Sequence, residues 1–364
     1  MKIKDITTAL DHAVPLALQE SYDNCGLLVG DPQGEAKAAL ITLDVTEEVL
    51  HEALQLGANL VIAHHPVIFK NLKKLTGDGL VERCVGFAIR HGLSIYAAHT
   101  NLDHWPQGVS HALGTQLGLR DMRILQPLEG QLHKLITFCP PAHAEKVRTA
   151  LFQAGAGHIG RYDHCSFNTL GTGTYRAGEG TRPYLGSIGE LHEEQEVRIE
   201  TIFPEWRSTA VLSALHEAHP YEEVAFDIYA LQNPHPGVGP GVIGSLEAPL
   251  TVPDFLALVK EVTGTPFLRY TTCEQQVVKK VALCGGAGSF LLGAARRAGA
   301  GAFLTADLKY HDFHDAHGNL LLVDAGHFET EQFAREVLKD ILCQNFPNFA
   351  VLISNVNTNP VNYL

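Results

Sequence analysis

Histidine and carboxylate residues gather at three places in the sequence where an apolar run ends. They are His64 and His65 in "VIAHHPVIF", His99 and Asp103 in "IYAAHTNLD", and His327 and Glu331 in "LLVDAGHFETE". Imidazole nitrogen and carboxylate oxygen bind borderline divalent ions such as Zn, Fe, Mn, Co or Ni, whereas structural zinc sites favour thiolates. The spacing therefore predicts a metal centre with nitrogen and oxygen ligands.

The adjacent histidines His64 and His65 are expected to contact two different, neighbouring binding partners. Side chains alternate between the two faces of a regular strand, so neighbouring residues cannot both point the same way. Pro66 favours an extended backbone at His65. Taken alone, the pair also fits two histidines of a surface loop. The recurrence of such residues at three strand ends favours ligands, because open α/β sheets bind ligands at the carboxyl ends of their strands.

The number of candidate ligands indicates more than one ion. Glu331 follows His327 by four residues, which places both on one helical face if a helix begins near the histidine. A single catalytic ion usually takes about three ligands from the protein, and this set is larger. A carboxylate that bridges two ions about 3.5–4 Å apart, with water in the open positions, fits better.

The elements that must position these residues follow an alternating pattern. Residues 38 to 125 read as strands "AALITLDV", "NLVIAHH" and "LSIYAAH", separated by helices, the first of which has Thr46 as its expected N-cap. The alternation resumes near residue 278 with strands "VVKKVALCGG", "AFLTAD" and "LLLVDAGH" and a last helix "ETEQFAREVLKDIL". Because the two stretches resemble one another, we expect a duplicated α/β sandwich with mainly parallel sheets.

An inserted domain is expected between these stretches. Residues 129–233 read as β-α-β-β-α-β, the order of a ferredoxin-like α+β domain. The stretch after it, "NPHPGVGPG", is rich in proline and glycine, as linkers often are. The expected organisation is one discontinuous α/β domain of residues 1–128 and 234–364, split by the insert.

Composition and charge narrow the class of protein. The 364 residues include seven cysteines without a C-x-x-C pair, which favours reduced thiols in the cytoplasm over a disulfide framework. The N-terminal stretch lacks the apolar core of a secretory signal, and no run is long enough to span a membrane. A net charge of −13 argues against nucleic-acid and membrane partners.

Three glycine-containing motifs are weaker signals. "GPGVIG" matches a dinucleotide-binding fingerprint, but it follows a proline-rich linker instead of a strand, so this function is rejected. "CGGAGSF" lacks the Gly-Lys-Ser/Thr of a phosphate loop, although its backbone amides could hold an anion. "GTGTYRAGEGTRP" could bind an anion through Arg176 and Arg182, but a plain connection between strands is the favoured interpretation.

Several motifs together resemble those of the Nif-three-like dinuclear metal proteins, often labelled GTP cyclohydrolase 1 type 2. The similar stretches are "SYDNCGLLVG", "VIAHHPVIF", "AAHTNLD", "GGAGS", "TADLKYHDFHDA" and "GHFETE". The resemblance implies metal ligands at His64, His65, Asp103, His327 and Glu331. It also implies a toroidal homohexamer, and an insert similar to the PII/CutA-like module of longer family members.

Two further histidines, His99 and His311, lie in the matching motifs without being implied ligands. They could orient ligands or shuttle protons, or they could simply bond to buried backbone groups. The expected function is a metal-dependent hydrolase with two divalent ions per chain, Zn, Fe or Mn, and a small nucleotide-like or phosphorylated substrate. The alternative is a non-enzymatic hexamer for metal storage or regulation with a ligand-sensing insert. Both need the same ligands, so the sequence leaves both open.

Overall fold

The computed structural model describes residues 1–364, which form two compact units. The first consists of Met1–Pro127 together with Gly237–Leu364, and the second of Leu128–Pro236. The second unit is thus continuous in sequence, whereas the first is assembled from two segments that flank it.

The chain contains strands and helices in alternation. The strands are β1 (Gly26–Val29), β2 (Ala39–Thr42), β3 (Leu60–Ala63), β4 (Ser94–Ala97), β5 (Arg120–Ile124), β6 (Leu132–Cys139), β7 (Ser166–Arg176), β8 (Leu191–Pro204), β9 (Phe226–Ala230), β10 (Val242–Thr251), β11 (Arg269–Tyr270), β12 (Val277–Ala287), β13 (Ala302–Ala306), β14 (Leu321–Asp324) and β15 (Val351–Ile353). The helices are α1 (Ile3–Ala13), α2 (Glu47–Gln55), α3 (Leu80–His91), α4 (Thr100–His104), α5 (Val109–Gln116), α6 (Ala144–Gln153), α7 (Ser208–Ala218), α8 (Val252–Thr263), α9 (Leu292–Arg297), α10 (Tyr310–Ala316), α11 (His327–Glu331) and α12 (Ala334–Asn345). Short 3-10 turns lie at Leu16–Leu18, Pro141–His143, Glu205–Arg207 and Ser289–Leu291.

The first sheet of unit 1 has the strand order β1-β4-β3-β2-β15. Strands β15, β2, β3 and β4 are parallel, and only β1 runs antiparallel. Alternate residues of the central strands enter two separate cores: Ile41 and Ile62 pack with α1 and α12, whereas Leu40 and Val61 pack with α2 and α3. Both faces are therefore covered, as the apolar runs of these strands require.

The second sheet of unit 1, β11-β14-β13-β12-β10-β5, is mixed. Only β12, β13 and β14 are parallel, while β10, β5 and β11 are antiparallel to their neighbours. The expectation of mainly parallel sheets is therefore wrong for this sheet. The reason is that β10 begins inside the glycine-rich "GPGVIG", where no apolar alternation signals a strand. Its register places Val242 opposite Ile124 of β5 and Leu283 of β12.

Unit 2 contains β6, α6, β7, β8, α7 and β9 in that order. Its sheet has the order β7-β8-β6-β9, and every pair is antiparallel. The buried core joins Leu135, Ile199 and Phe203 of the sheet to Val147 of α6 and Leu215 of α7. Where unit 2 begins and ends, the backbone N–H of His235 donates to the carbonyl of Leu128 at 2.7 Å, so its two ends are adjacent.

The sequence correctly predicts the start of α2 but not the break between α11 and α12. Thr46 caps α2, since its hydroxyl accepts from the backbone N–H of Val49. The single last helix expected from "ETEQFAREVLKDIL" is instead two helices, α11 and α12, with a break at residues 332–333. None of the helices is long and apolar enough to cross a lipid bilayer.

Candidate metal centre

The carboxyl ends of strands from both sheets of unit 1 carry the candidate ligands. His64 and His65 follow β3, and Asp103 lies in α4, just after β4. His327 and Glu331 are the first and last residues of α11, which follows β14. The structure brings these five side chains into one cluster, in groups whose ligand atoms lie within 4.8 Å of one another.

We call His65, His327 and Glu331 the outer group. The Oε2 atom of Glu331 lies 2.9 Å from Nε2 of His65 and 2.8 Å from Nε2 of His327. The two imidazole Nε2 atoms are 3.4 Å apart. Because His327 and Glu331 are four residues apart in α11, one helical turn brings both to the same face.

We call His64, Asp103 and Glu331 the inner group. Nε2 of His64 lies 3.8 Å from Oδ1 of Asp103 and 3.7 Å from Oε2 of Glu331. Both Nε2 of His64 and Oδ1 of Asp103 are buried without a hydrogen-bond partner. Buried polar atoms nearly always have a partner, so two orphaned ligand atoms that face one another need an explanation.

A divalent ion fits these donor sets. Nitrogen and oxygen ligands lie about 2.0–2.2 Å from a zinc ion, which separates the ligand atoms of one tetrahedral site by about 3.4 Å. The five separations given above lie around that value, between 2.8 and 3.8 Å. Oε2 of Glu331 belongs to both groups. The donor set therefore suits two adjacent ions that share one carboxylate.

The electrostatics of the cluster are those of a carboxylate surrounded by imidazoles. Burial would raise the pKa of Glu331, but the imidazoles, above all that of His327, hold it well below its usual value. Burial would lower the pKa of His65, yet Asp44 and Glu331 raise it to about 9. In the same way, Asp307 and Glu331 raise the pKa of His327 to about 11 against the effect of burial.

The Nε2 atoms that face Glu331 are oriented by hydrogen bonds from the opposite nitrogen of each ring. Nδ1 of His65 donates to Oδ1 of Asp44 at 2.7 Å, and Nδ1 of His327 donates to Oδ2 of Asp307 at 2.7 Å. Nδ1 of His64 donates to the carbonyl of Ala98 at 2.8 Å. Such contacts set the tautomer and strengthen the ring as a ligand.

Sequence reasoning missed Asp44 and Asp307. Asp44, in "ITLDV", lies two residues after β2, and Asp307, in "FLTAD", directly follows β13, so their position at a strand end was the available signal. Asp307 also has a φ of 56°, in the left-handed region that only a few per cent of non-glycine residues adopt. The strand ends thus supply both the candidate ligands and the carboxylates that orient them.

The two further histidines have different surroundings. The ring of His99 lies 5.3 Å from that of His64 and 5.4 Å from that of His65, and its Nδ1 donates to Asp23 at 2.8 Å. Burial would raise the pKa of Asp23, but hydrogen bonds from His99 and Thr100 hold it well below its usual value. His311 instead lies on the exposed surface of α10, where its ring contacts Tyr310. It is not part of the cluster.

The glycines of "CGGAGSF" make room for Glu331. A Cβ atom on Gly286 would meet Oε1 of Glu331 at 2.0 Å, and the φ of Gly286 is +61°. The amide of Gly286 donates to the hydroxyl of Thr330, and that of Gly285 to the hydroxyl of Ser110. These two amides donate to side chains of the protein and do not hold an anion. The role of the two glycines is therefore to leave space for the carboxylate of Glu331.

A pocket of about 540 Å³ opens beside the outer group. Besides His65 and His327, it is lined by aromatic and charged side chains, including Phe267, Phe328, Tyr363, Arg269, Asp324 and Glu329. The guanidinium of Arg269 pairs with the carboxylate of Asp324. This volume lies within the range of pockets for small molecules.

The segment after β15 forms one wall of this pocket. The hydroxyl of Thr358 donates to Oδ2 of Asp44 at 2.6 Å, so the carboxylate that orients His65 is also held by this segment. Nδ2 of Asn359 donates to Oε1 of the buried Glu329 at 3.0 Å. Both contacts fix the wall next to the outer group.

Comparisons with known proteins identify the family. The family described as Duf34/NIF3 (NGG1p interacting factor 3) matches residues 1–360. The chain is 40% identical over 355 residues to the "GTP cyclohydrolase 1 type 2 homolog" of Halalkalibacterium halodurans, which covers 96% of this chain and 95% of that protein. The protein of the same name from Bacillus subtilis is 38% identical over 356 residues, covering 96% and 95%. The crystal structure of a Bacillus cereus protein related to NIF3 is similar with a TM-score of 0.87 and 38% identity, over 100% of this chain and 99% of that one. The chain therefore belongs to the DUF34/NIF3 family.

Proposed function

We propose that the protein is a metal-dependent hydrolase with two divalent ions per chain, which acts on a small nucleotide-like or phosphorylated substrate. The proposal rests on the position of Oε2 of Glu331. This oxygen lies 2.8 to 3.7 Å from the imidazole Nε2 atoms of both groups, a separation suited to ligands of a common ion. His65, His327 and Glu331 would hold one ion, and His64, Asp103 and Glu331 the other. Zn, Fe and Mn suit these nitrogen and oxygen ligands.

The ions would supply the chemistry that the side chains lack. Divalent ions at such a site lower the pKa of water towards about 7 and stabilise negative charge on a carbonyl or phosphoryl oxygen. The chain's own contribution is to hold the ligands: Asp44 and Asp307 fix the outer imidazoles, and the backbone carbonyl of Ala98 fixes His64.

The pocket beside the outer group is the proposed substrate site. Phe267 and Phe328 offer faces for a planar base. Arg269 is paired with Asp324 and carboxylates line the pocket, so the proposed ions would supply most of the positive charge for an anionic group. The name of the relatives, GTP cyclohydrolase 1 type 2 homolog, supports a nucleotide-like substrate and hydrolytic opening of a purine ring as one possible reaction.

The proposal extends to the architecture and assembly. The order β7-β8-β6-β9 supports a ferredoxin-like, PII/CutA-like insert of residues 129–233, and the paired β-α-β segments of the two sheets support an internal duplication. Family membership supports a toroidal homohexamer. The seven free cysteines support a cytoplasmic, reducing location.

Metal content and turnover test the proposal together. Protein purified without chelator should contain about two divalent ions per chain by elemental analysis. Restored with Zn, Fe or Mn, it should hydrolyse at least one member of a panel of nucleotides and phosphoesters. Asp103→Asn should abolish turnover while the circular dichroism spectrum stays unchanged, because the amide lacks the charge that holds the inner ion.

The matched control is Asp163→Asn, which changes an exposed carboxylate of unit 2 and should retain the full rate. Native protein without metal would refute the dinuclear centre. Metal-replete protein that hydrolyses no substrate of a broad panel, or a fully active Asp103→Asn variant, would instead favour the storage or regulatory alternative.

A further inference from the structure

Unit 2 contains a pocket of its own, of about 320 Å³, lined by three tyrosine rings. Tyr175 lies in β7, Tyr184 in the loop after it, and Tyr221 after α7. The ring centre of Tyr221 is 6.3 Å from that of Tyr175 and 6.1 Å from that of Tyr184, with interplanar angles of 57° and 48°. All three rings line one recess, which we call the tyrosine pocket.

The hydroxyls of these tyrosines are already engaged. That of Tyr175 donates to the carbonyl of Leu185 at 2.7 Å, and that of Tyr221 donates to Oε1 of Glu196 at 2.9 Å. That of Tyr184 lies 2.9 Å from Nε2 of His143. The rings of Tyr175, Tyr184 and Tyr221 also each contact one imidazole, from His192, His143 and His219 respectively. The parts of the rings that line the pocket are therefore the surfaces left for a ligand. A phenol that donates to a carboxylate also has an electron-rich ring, which favours contact with a cation.

Charge at the tyrosine pocket is negative. Glu196, Glu222 and Glu223 line it, against the single guanidinium of Arg176. Glu196 forms no ion pair with any lysine or arginine, and its carboxylate occupies space that only Gly173 leaves open, since a Cβ there would meet Oε2 at 2.2 Å. An anion is therefore disfavoured in this pocket, contrary to the anion-binding alternative for "GTGTYRAGEGTRP".

Arg182, the second cation of that alternative, does not line the pocket. Its backbone N–H donates to Oε1 of Glu222 at 2.8 Å, which ties the loop to the acidic side of the recess. The loop that carries Tyr184 is thus held over the pocket by contacts with both Glu222 and His143.

We propose that the tyrosine pocket binds a small organic cation of the alkylated ammonium class. Electron-rich ring faces with a nearby carboxylate are the surroundings in which proteins recognise quaternary ammonium groups, because the ring quadrupole attracts a weakly hydrated cation. The carboxylate of Glu196 supplies the balancing charge. The site is built from residues of unit 2 alone and does not depend on the proposed hydrolysis.

Choline and its neutral carbon isostere, 3,3-dimethylbutan-1-ol, provide a matched pair of probes. With the full chain, titration calorimetry should show saturable binding of one choline per chain and at least about tenfold weaker binding of the neutral isostere. The two probes share shape and hydroxyl, so the difference measures the contribution of the positive charge.

Variants at one ring separate cation recognition from apolar contact. Tyr184→Leu keeps an apolar side chain and should weaken choline binding at least about tenfold, whereas Tyr184→Phe keeps the ring and should bind within about threefold of the unchanged chain. Tyr184 is 50% exposed, so neither change should affect folding. Glu196→Gln should also weaken binding. The control is Tyr229→Ala, an exposed tyrosine of β9 outside the pocket, which should leave binding unchanged.

Equal affinity for choline and its isostere, or no binding of any alkylated ammonium probe, would overturn the proposal. Unchanged choline binding in Tyr184→Leu would also overturn it. So would adenine nucleotides that bind in the pocket and are not displaced by choline. Melting temperatures of the variants, followed by circular dichroism, would identify a variant that loses binding merely because unit 2 unfolds.

Discussion

Glu331 is the residue on which the candidate metal centre depends most. Its buried side chain contributes one oxygen to both ligand groups, and it has three imidazoles around it. Removing that carboxylate would leave the Nε2 atoms of the three histidines without the oxygen that they share. Loss of Glu331 should therefore affect both proposed ions, whereas loss of His327 or of Asp103 should affect only one of them directly.

The carboxylates behind the ligands should matter for affinity. Asp44→Asn should weaken metal binding at the outer group by about 10–100-fold, because the amide no longer strengthens the His65 ring as a ligand. Asp307→Asn should act in the same way through His327. Competition with a chromophoric chelator would measure the affinity.

The pair of Asp163 and His164 on the surface of unit 2 provides the control. These residues also form a carboxylate–imidazole contact, 3.3 Å long, but both are exposed. Asp163→Asn should leave metal affinity unchanged. An equal loss in Asp163→Asn and Asp44→Asn would show that the effect is not specific to the centre.

Thiol reactivity is predicted by burial and charge. Burial and the Asp23 carboxylate raise the pKa of Cys25 to about 12, and burial raises the pKa of Cys84 and Cys139 to about 11. A thiol reacts as the thiolate, which forms only as the pH rises towards the pKa. In the folded protein these three should therefore resist iodoacetamide between pH 7 and about pH 9.

Cys343 is the internal comparison, because it lies exposed on α12. Mass spectrometry of peptides after timed alkylation should find it modified first. Rapid labelling of Cys25 at pH 7 in folded protein would contradict the raised pKa of this half-buried thiol.

At the scale of elements, the sequence predicts the strands and helices whose apolar residues follow a strong pattern. The alternating strands and helices around His64 and Asp103 were predicted because buried parallel strands are continuous apolar runs. Strand β10 was missed because glycines interrupt its start, and the break before α12 was missed because apolar spacing continues across it. The pairing of Asp44 with His65 is a tertiary contact 21 residues apart, which no local pattern encodes.

The glycine turn after β12 should be intolerant of substitution. In Gly286→Ala the new Cβ would strike Oε1 of Glu331, and the positive φ would add strain of about 1–3 kcal/mol. We expect loss of metal from both groups together with a lower melting temperature. Elemental analysis and thermal denaturation would measure the two effects.

Gly118→Ala separates the two causes. Gly118 has a φ of +73°, but a Cβ there would meet nothing within 4 Å. It should lower the melting temperature through backbone strain while metal content stays intact. Equal metal loss in both variants would argue that the steric contact with Glu331 is unimportant.

At the scale of the whole chain, the second unit should be separable from the first. Replacing residues 129–233 by a short glycine-serine link should leave a folded, metal-binding first unit. The hydrogen bond between His235 and Leu128 shows that the ends to be joined are adjacent, and insertions with close ends are tolerated. Circular dichroism and metal content would test this.

If the chain without residues 129–233 fails to fold, or folds without binding metal, the proposed boundaries are wrong. The matching control is deletion of a comparable stretch inside unit 1, residues 240–330, which removes β10 to β14 and should abolish folding. The comparison distinguishes a separable unit from general tolerance of deletion.

The distribution of the candidate ligands along the chain has a consequence for how the proposed metal centre would acquire its ions in the cell. His64, His65 and Asp103 are synthesised before unit 2, whereas His327 and Glu331 are synthesised after it. A nascent chain that has not reached residue 331 lacks the oxygen common to both groups and would hold an ion only loosely. At the proposed centre, the choice among competing ions would thereby be deferred until translation has passed unit 2. Metal identity would then reflect the ions available to the folded chain, since intrinsic affinity alone favours copper over the other first-row ions.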